Sequence, residues 1–157
     1  MKLQFVACCV LVSILNFGAR GDDADALKPL EGRWAQGDLR FFAPPPEIWQ
    51  MIYGRELSTE NPIELFVNRA LLAIDGDQFV FRNQKHERRV KVKVDATKNP
   101  KQIDFLLGDD KRLLAIYEID DRRLGLRIGD AKTRPEKFEN QEVGKKDFRI
   151  GFQRQRD

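Results

Sequence analysis

The chain has 157 residues, 34% of them charged, with a formal net charge of +3, a length that fits a single domain. Removing Lys2 and Arg20 with an expected N-terminal leader lowers the charge from +3 to +1; that balance implies a dense, mixed surface and no overall pull toward nucleic acid or anionic membrane. Both cysteines, Cys8 and Cys9, lie in the same leader, so disulfides, thiol nucleophiles and thiolate metal sites are excluded from the mature chain.

Residues 1–21 have the pattern of a signal peptide. Lys2 supplies the positive start, Phe5 to Phe17 is an apolar run of 13 residues, and Gly18-Ala19-Arg20-Gly21 offers small residues for cleavage before Asp22. A helical membrane span needs about 20 apolar residues, so this run is too short to serve as one. A lipoprotein would carry its cysteine at the end of the apolar run, whereas Cys8 and Cys9 sit near its beginning. Export to the periplasm or the exterior is the expectation.

Residues 22–27 form an acidic leader, and the folded domain is expected over 28–157. Leu30 and Trp34 are the first apolar anchors, with Gly32 between them where the chain enters a sheet. Phe41 and Phe42 precede Pro44-Pro45-Pro46, a stiff connector without donors. Ile48 to Leu57 alternates imperfectly and is expected to be a strand. STENP turns the chain before Ile63, Leu65 and Val67, which are in phase; a short helix over Leu65 to Leu72 is the alternative there. Leu71 to Ile74 leads into Asp75-Gly76-Asp77, a strong hairpin signal, and Phe79 to Phe81 is the second arm.

Val90 to Ile128 is the most regular part. Val90, Val92 and Val94 alternate with Lys91, Lys93 and Asp95. Ile103, Phe105 and Leu107 share a face, as do Leu113, Ala115 and Tyr117 with Ile119, and Leu124, Leu126 and Ile128. Three polar turns separate these runs, so they predict an antiparallel meander. Gly129 to Val143 reads as a loop, and Phe148, Ile150 and Phe152 as a final strand. About eight antiparallel strands in sequence order have edges to protect, and closing into an up-and-down barrel removes them.

The residues that could carry chemistry are few. His86 is the single histidine and lies in a hydrophilic stretch, so no histidine pair can hold a metal. Asp75/Asp77, Asp109/Asp110 and Asp120/Asp121 lack the ligand spacing of a calcium loop and sit where tight turns favour Asp. Ser58 is the only serine after the leader, with no nucleophile-elbow motif around it. No catalytic residue, metal or cofactor is therefore expected. Lys85 to Arg89 with Lys91 and Lys93 is basic, but lysines alternating with inward valines describe a solvated sheet face, so nucleic acid is not an expected partner.

One structural pair stands out. The first and last strands of a closed barrel must meet, and Arg154 follows Phe152 by two residues. It is thus placed to lie over the Trp34 indole and close one end by a cation–π contact.

The segments LEGRW (30–34), DATKNPKQID (95–104), LAIYEID (114–120) with Leu124, and RPEKF (134–138) resemble a family of uncharacterised exported domains abundant in planctomycetes. Ala115 stands where that family usually has Gly, and Arg122-Arg123 replaces its usual turn. The resemblance implies an all-β, lipocalin-like barrel and brings no activity. Two functions follow as expectations. One is a monomeric module binding a small apolar or amphipathic ligand in the lumen, lined by Phe79, Phe81, Phe105 and Tyr117. The other is a non-catalytic interaction domain of the cell envelope with a packed interior, acting through an exposed patch at Phe42, Trp49 and Tyr53.

Overall fold

The computed structural model describes residues 25–41, 46–53, 70–83, 86–108, 110–138 and 148–156. Eight strands form one closed antiparallel barrel in sequence order: β1 (Gly32–Phe41), β2 (Leu71–Asp75), β3 (Gln78–Arg82), β4 (Glu87–Asp95), β5 (Lys101–Gly108), β6 (Lys111–Ile119), β7 (Arg123–Ile128) and β8 (Phe148–Arg154). Each strand pairs with the next, and β8 returns to β1 with Trp34 opposite Arg154 and Phe41 opposite Phe148. The expected up-and-down barrel is therefore the fold, and its ring of strand pairings is closed.

The hairpin signals work as their chemistry requires. Gly76 takes φ 54° in the turn joining β2 to β3, a region open to glycine at no steric cost. The turns flanking β5 and β7 are held by Asp95 and Asp120. The Asp120 carboxylate accepts from the amides of Arg122 and Arg123, both at 2.7 Å, and Asp95 accepts from the Thr97 amide and hydroxyl. Those hydrogen bonds hold both carboxyl groups below the usual carboxylate range.

Alternation sends Trp34, Leu72, Ile74, Phe79, Phe81, Val90, Val92, Val94, Ile103, Phe105, Leu113, Ala115, Tyr117, Leu124, Leu126, Ile128, Phe148, Ile150 and Phe152 into one continuous core. β6 departs from the rule, because Leu114 and Ile116 point outward and are buried as well. Residues 129–138, part of the segment read as a loop, cross the outer wall there. Three arginines donate to carbonyls that fasten the crossing: Arg127 to Lys137, Arg134 to Ile103 and Ala115, and Arg149 to Phe138. Arg134 also pairs with Asp104.

Two local expectations need correction. Ile48 to Tyr53 is not a strand; it belongs to a helix, α1 (Pro46–Tyr53). Proline fits the first helical turn, where its missing donor costs nothing. Ile48, Trp49, Met51, Ile52 and Tyr53 are all buried while Gln50 is exposed, a pattern of period 3.6 and not of period two. The exposed patch expected at Trp49 and Tyr53 is also absent, since these residues are 7% and 2% exposed. Phe42, the remaining readings over 54–69, and Pro44 and Pro45 lie outside the described residues. Leu27, placed by sequence at the end of the leader, is buried in the core.

Candidate functional site

One mouth of the barrel is closed by residues that the sequence had paired. A short 3-10 turn (Lys28–Leu30) brings Leu27 and Leu30 over the opening. Trp34 Nε1 donates to the Leu30 carbonyl at 2.9 Å. The Arg154 guanidinium stands 4.2 Å from the centre of the Trp34 ring. Its Nη1 and Nη2 donate to the carbonyls of Glu31 and Pro29 at 2.9 and 2.8 Å. Gly32 makes the approach possible: its φ is +123°, and a Cβ there would meet Arg154 Nη1 at 3.2 Å.

The opposite mouth is covered by α1. Trp49 packs against Tyr53 and Phe148, with ring centres 5.3 and 5.8 Å apart. The Tyr53 hydroxyl donates to Gln36 Oε1 at 3.0 Å, and the Ala70 amide donates to the same oxygen at 2.8 Å. Burial pushes the Tyr53 hydroxyl up to about 12. Asn83 Nδ2 and Arg88 Nη1 donate to the carbonyls of Tyr53 and Gln50. Sequence reasoning missed this assembly. Gln36 lies two residues beyond Trp34 and shares its inward phase, which was the available signal.

Between the caps stand the residues expected to line a ligand site. Phe79, Phe81 and Phe105 are 0%, 1% and 0% exposed. Their rings touch one another, with Phe79 5.6 Å from Phe105 edge-on and 6.3 Å from Phe81, and Phe81 6.5 Å from Phe105. Contacts of this kind are worth about 0.5–1.5 kcal/mol each beyond burial. Tyr117 stands four rungs away along the β5–β6 ladder, opposite Lys101, whose ammonium lies 5.9 Å over its ring. The structure thus brings three of the four together and sets the fourth apart.

Two clefts bounded by described residues lie on the outer wall. One, of about 700 Å³, runs beside the Asp104–Arg134 pair and includes Lys93, Thr97 and Gln102. The other, of about 540 Å³, crosses β7, β8 and β1 between Arg123 and Arg149. Part of the basic run on β4 is paired in place. Lys91 pairs with Asp77 and Arg89 with Glu87, both at 3.1 Å, and Arg82 also reaches Glu87, at 2.7 Å. His86 is exposed in the β3–β4 turn. Among the described residues no cluster of three or more His, Cys, Asp or Glu is placed to hold a metal ion, and no helix is long and apolar enough to cross a membrane.

Comparison with protein-family models, with curated proteins and with solved structures gives no match.

Proposed function

We propose that the protein is an exported, monomeric, non-catalytic interaction domain, a rigid barrel that engages its partner through the outer wall. One observation carries the reading. The rings expected to form a ligand site are packed on one another between two capped mouths, while two clefts bounded by described residues lie on the outer wall. The signal-like pattern of residues 1–21 supports export, and Leu71, at 44%, is the one large apolar side chain strongly exposed among the described residues, which supports a monomer. Titration with a fluorescent fatty-acid analogue, followed by native mass spectrometry of gently purified protein, tests it. The expected result is no saturable uptake and the mass of the bare chain. Stoichiometric uptake would overturn it.

A second reading, an apolar ligand in the lumen beneath α1, is favoured by the way α1 is attached. The helix is an insertion laid over the rim and not a part of the wall. The Gln50 and Tyr53 carbonyls and the Tyr53 hydroxyl tie it to β4, the β3–β4 turn and β1, so it can lift without breaking the sheet. In that case probe uptake would rise when Tyr53→Phe loosens the cover and fall when Phe105→Ala reshapes the floor.

A further inference from the structure

The outer wall carries one cleft whose chemistry is specific enough to name a ligand class. We propose that the furrow across β7, β8 and β1 binds an uncharged sugar chain; the assignment rests on the reading that the domain works through its outer wall.

The floor of the furrow has no side chains of its own, and polar side chains of its walls lean over it. Gly125 of β7 is the direct partner of Gly151 of β8, and both alternate with inward-facing Leu124, Leu126, Ile150 and Phe152. Gly37 of β1 lies alongside, where the β1–β8 register shifts; a Cβ there would stand 3.6 Å from the Gly151 carbonyl oxygen. Three neighbouring strands therefore contribute no side chain of their own to the floor, and Gln153 lies 3.4 Å from where a Gly37 Cβ would stand. The walls are charged and amide side chains. Glu118 leans across the floor, so that a Cβ on Gly125 would lie 2.9 Å from its Cγ and Oε1. The same oxygen meets Arg149 Nη2 at 3.4 Å, and the Phe138 ring stands 5.7 Å from the Arg149 guanidinium on its other side. Arg123, Gln153 and Asp120 bound the far end. Arg123 pairs with Gln153, four residues along β8 from Arg149, so the floor between the arginines is about 13 Å long at roughly 3.3 Å per residue.

These features exclude ligands by class. Two carboxylates face two guanidinium groups, so a ligand of either net charge would gain from one pair and be repelled by the other. An apolar ligand would find little to pack on, since the apolar residues that border the furrow, Ile119, Leu124 and Phe152, belong to or pack against the core. It would also strip water from Glu118, Asp120, Arg123, Arg149 and Gln153. What suits the site is a flat, uncharged molecule dense in hydroxyl groups. Glu118 and Arg149 are 54% and 39% exposed and retain unused acceptor and donor positions on planar groups. A vicinal diol can donate to the carboxylate and accept from the guanidinium together, through charge-assisted hydrogen bonds. With glycine at these positions a pyranose ring can lie on the backbone once the exposed Glu118 and Gln153 side chains swing aside, and the length accommodates more than one ring.

Amide NMR of the full chain, titrated separately with maltose, cellobiose and N,N′-diacetylchitobiose at millimolar concentrations, is the test. At least one of these probes is expected to give saturable shifts confined to Gly37, Gly125, Gly151, Arg123 and Gln153. Gly37→Leu fills the furrow and should weaken that binding about tenfold or more. The backbone at Gly37 is not in the left-handed region, and the side-chain atoms a Cβ would meet belong to flexible, exposed Gln153. Gln153→Ala, an exposed wall residue whose loss leaves the core untouched, should weaken it about threefold. No saturable shift with any of the three sugars overturns the proposal, as do shifts that both variants leave unchanged. Shifts at the furrow with citrate or adenosine and none with sugars overturn the sugar class while keeping the outer wall as the working surface. Shifts centred on Phe79 and Phe105 overturn that broader reading as well.

Discussion

At one mouth of the barrel an arginine from the last strand lies over a tryptophan from the first; at the other a short helix lays five apolar residues over the rim. The first closure is anchored by side chains of β1 and β8, which hold the Lys28–Leu30 turn over the mouth, so it is as firm as the β1–β8 pairing beneath it. The second is made by an insertion between β1 and β2, fastened through Tyr53, Gln50 and the ring contact of Trp49 with Phe148. Both exclude water from the same core. They differ in how far opening one would disturb the sheet, and local opening favours elements with fewer attachments to the sheet.

That difference can be tested by breaking each closure in turn. Trp34→Ala removes the largest fully buried side chain and the surface under Arg154, and should cost about 3–5 kcal/mol in chemical denaturation. A cost well under that range would mean the mouth collapses easily and the closure is less rigid than its contacts indicate. The helix end should show itself at alkaline pH. The Tyr53 hydroxyl ionises at about 12 in the fold against an ordinary 10.0, so its contribution is fully present below pH 10 and lost as pH rises through about 12. Over that window stability should fall by about 2–3 kcal/mol, and Tyr53→Phe should remove that part of the fall. An unchanged alkaline profile in the variant would place the titration elsewhere.

Arg154→Met keeps the bulk of the stem but loses the charge over the ring and both carbonyl bonds, and a loss of about 2 kcal/mol is expected. Arg154→Lys should recover only part of it, because a single ammonium cannot reproduce the fork. The smallest effect is Tyr53→Phe at neutral pH, about 1 kcal/mol, since Gln36 Oε1 keeps its bond from the Ala70 amide. Hydrogen exchange would sharpen the comparison further: amides of α1 should exchange well ahead of those in β1 and β8.

The two ends also differ in how legible they were. Trp34 and Arg154 announce themselves because a barrel must join its first strand to its last, and Arg154 is the first arginine after Phe152 in its inward phase. Alternation at Val90, Val92 and Val94, with Asp75-Gly76 at a turn, gives most of the remaining strands, since period two and turn chemistry are local properties. The α1 segment was misread because Ile48, Gln50 and Ile52 can be fitted to either period when Trp49 and Met51 are discounted. The outward burial of Leu114 and Ile116 depends on a loop carried by Arg127, Arg134 and Arg149, a tertiary fact with no local signature. For the furrow the signal was present and unused: Gly125 between Leu124 and Leu126, and Gly151 between Ile150 and Phe152, both fall in the outward phase, but their pairing required the register. Phe79, Phe81 and Phe105 were rightly placed inward, and alternation alone could not say that they would meet one another.

The seam between β1 and β8 has a consequence for the order of assembly. Arg154 reaches a carbonyl 123 residues earlier in the chain, so the final contacts carry a large loop-closure cost and form slowly compared with the hairpins between them. During synthesis β2 to β7 can pair as they emerge, whereas β1 and β7 must each keep one side unpaired until Phe148–Arg154 is available. Two bare strand edges are then exposed at once, a state prone to joining other chains. For this protein the interval before the last strand arrives is the period of greatest aggregation risk, and it ends in a single closing step.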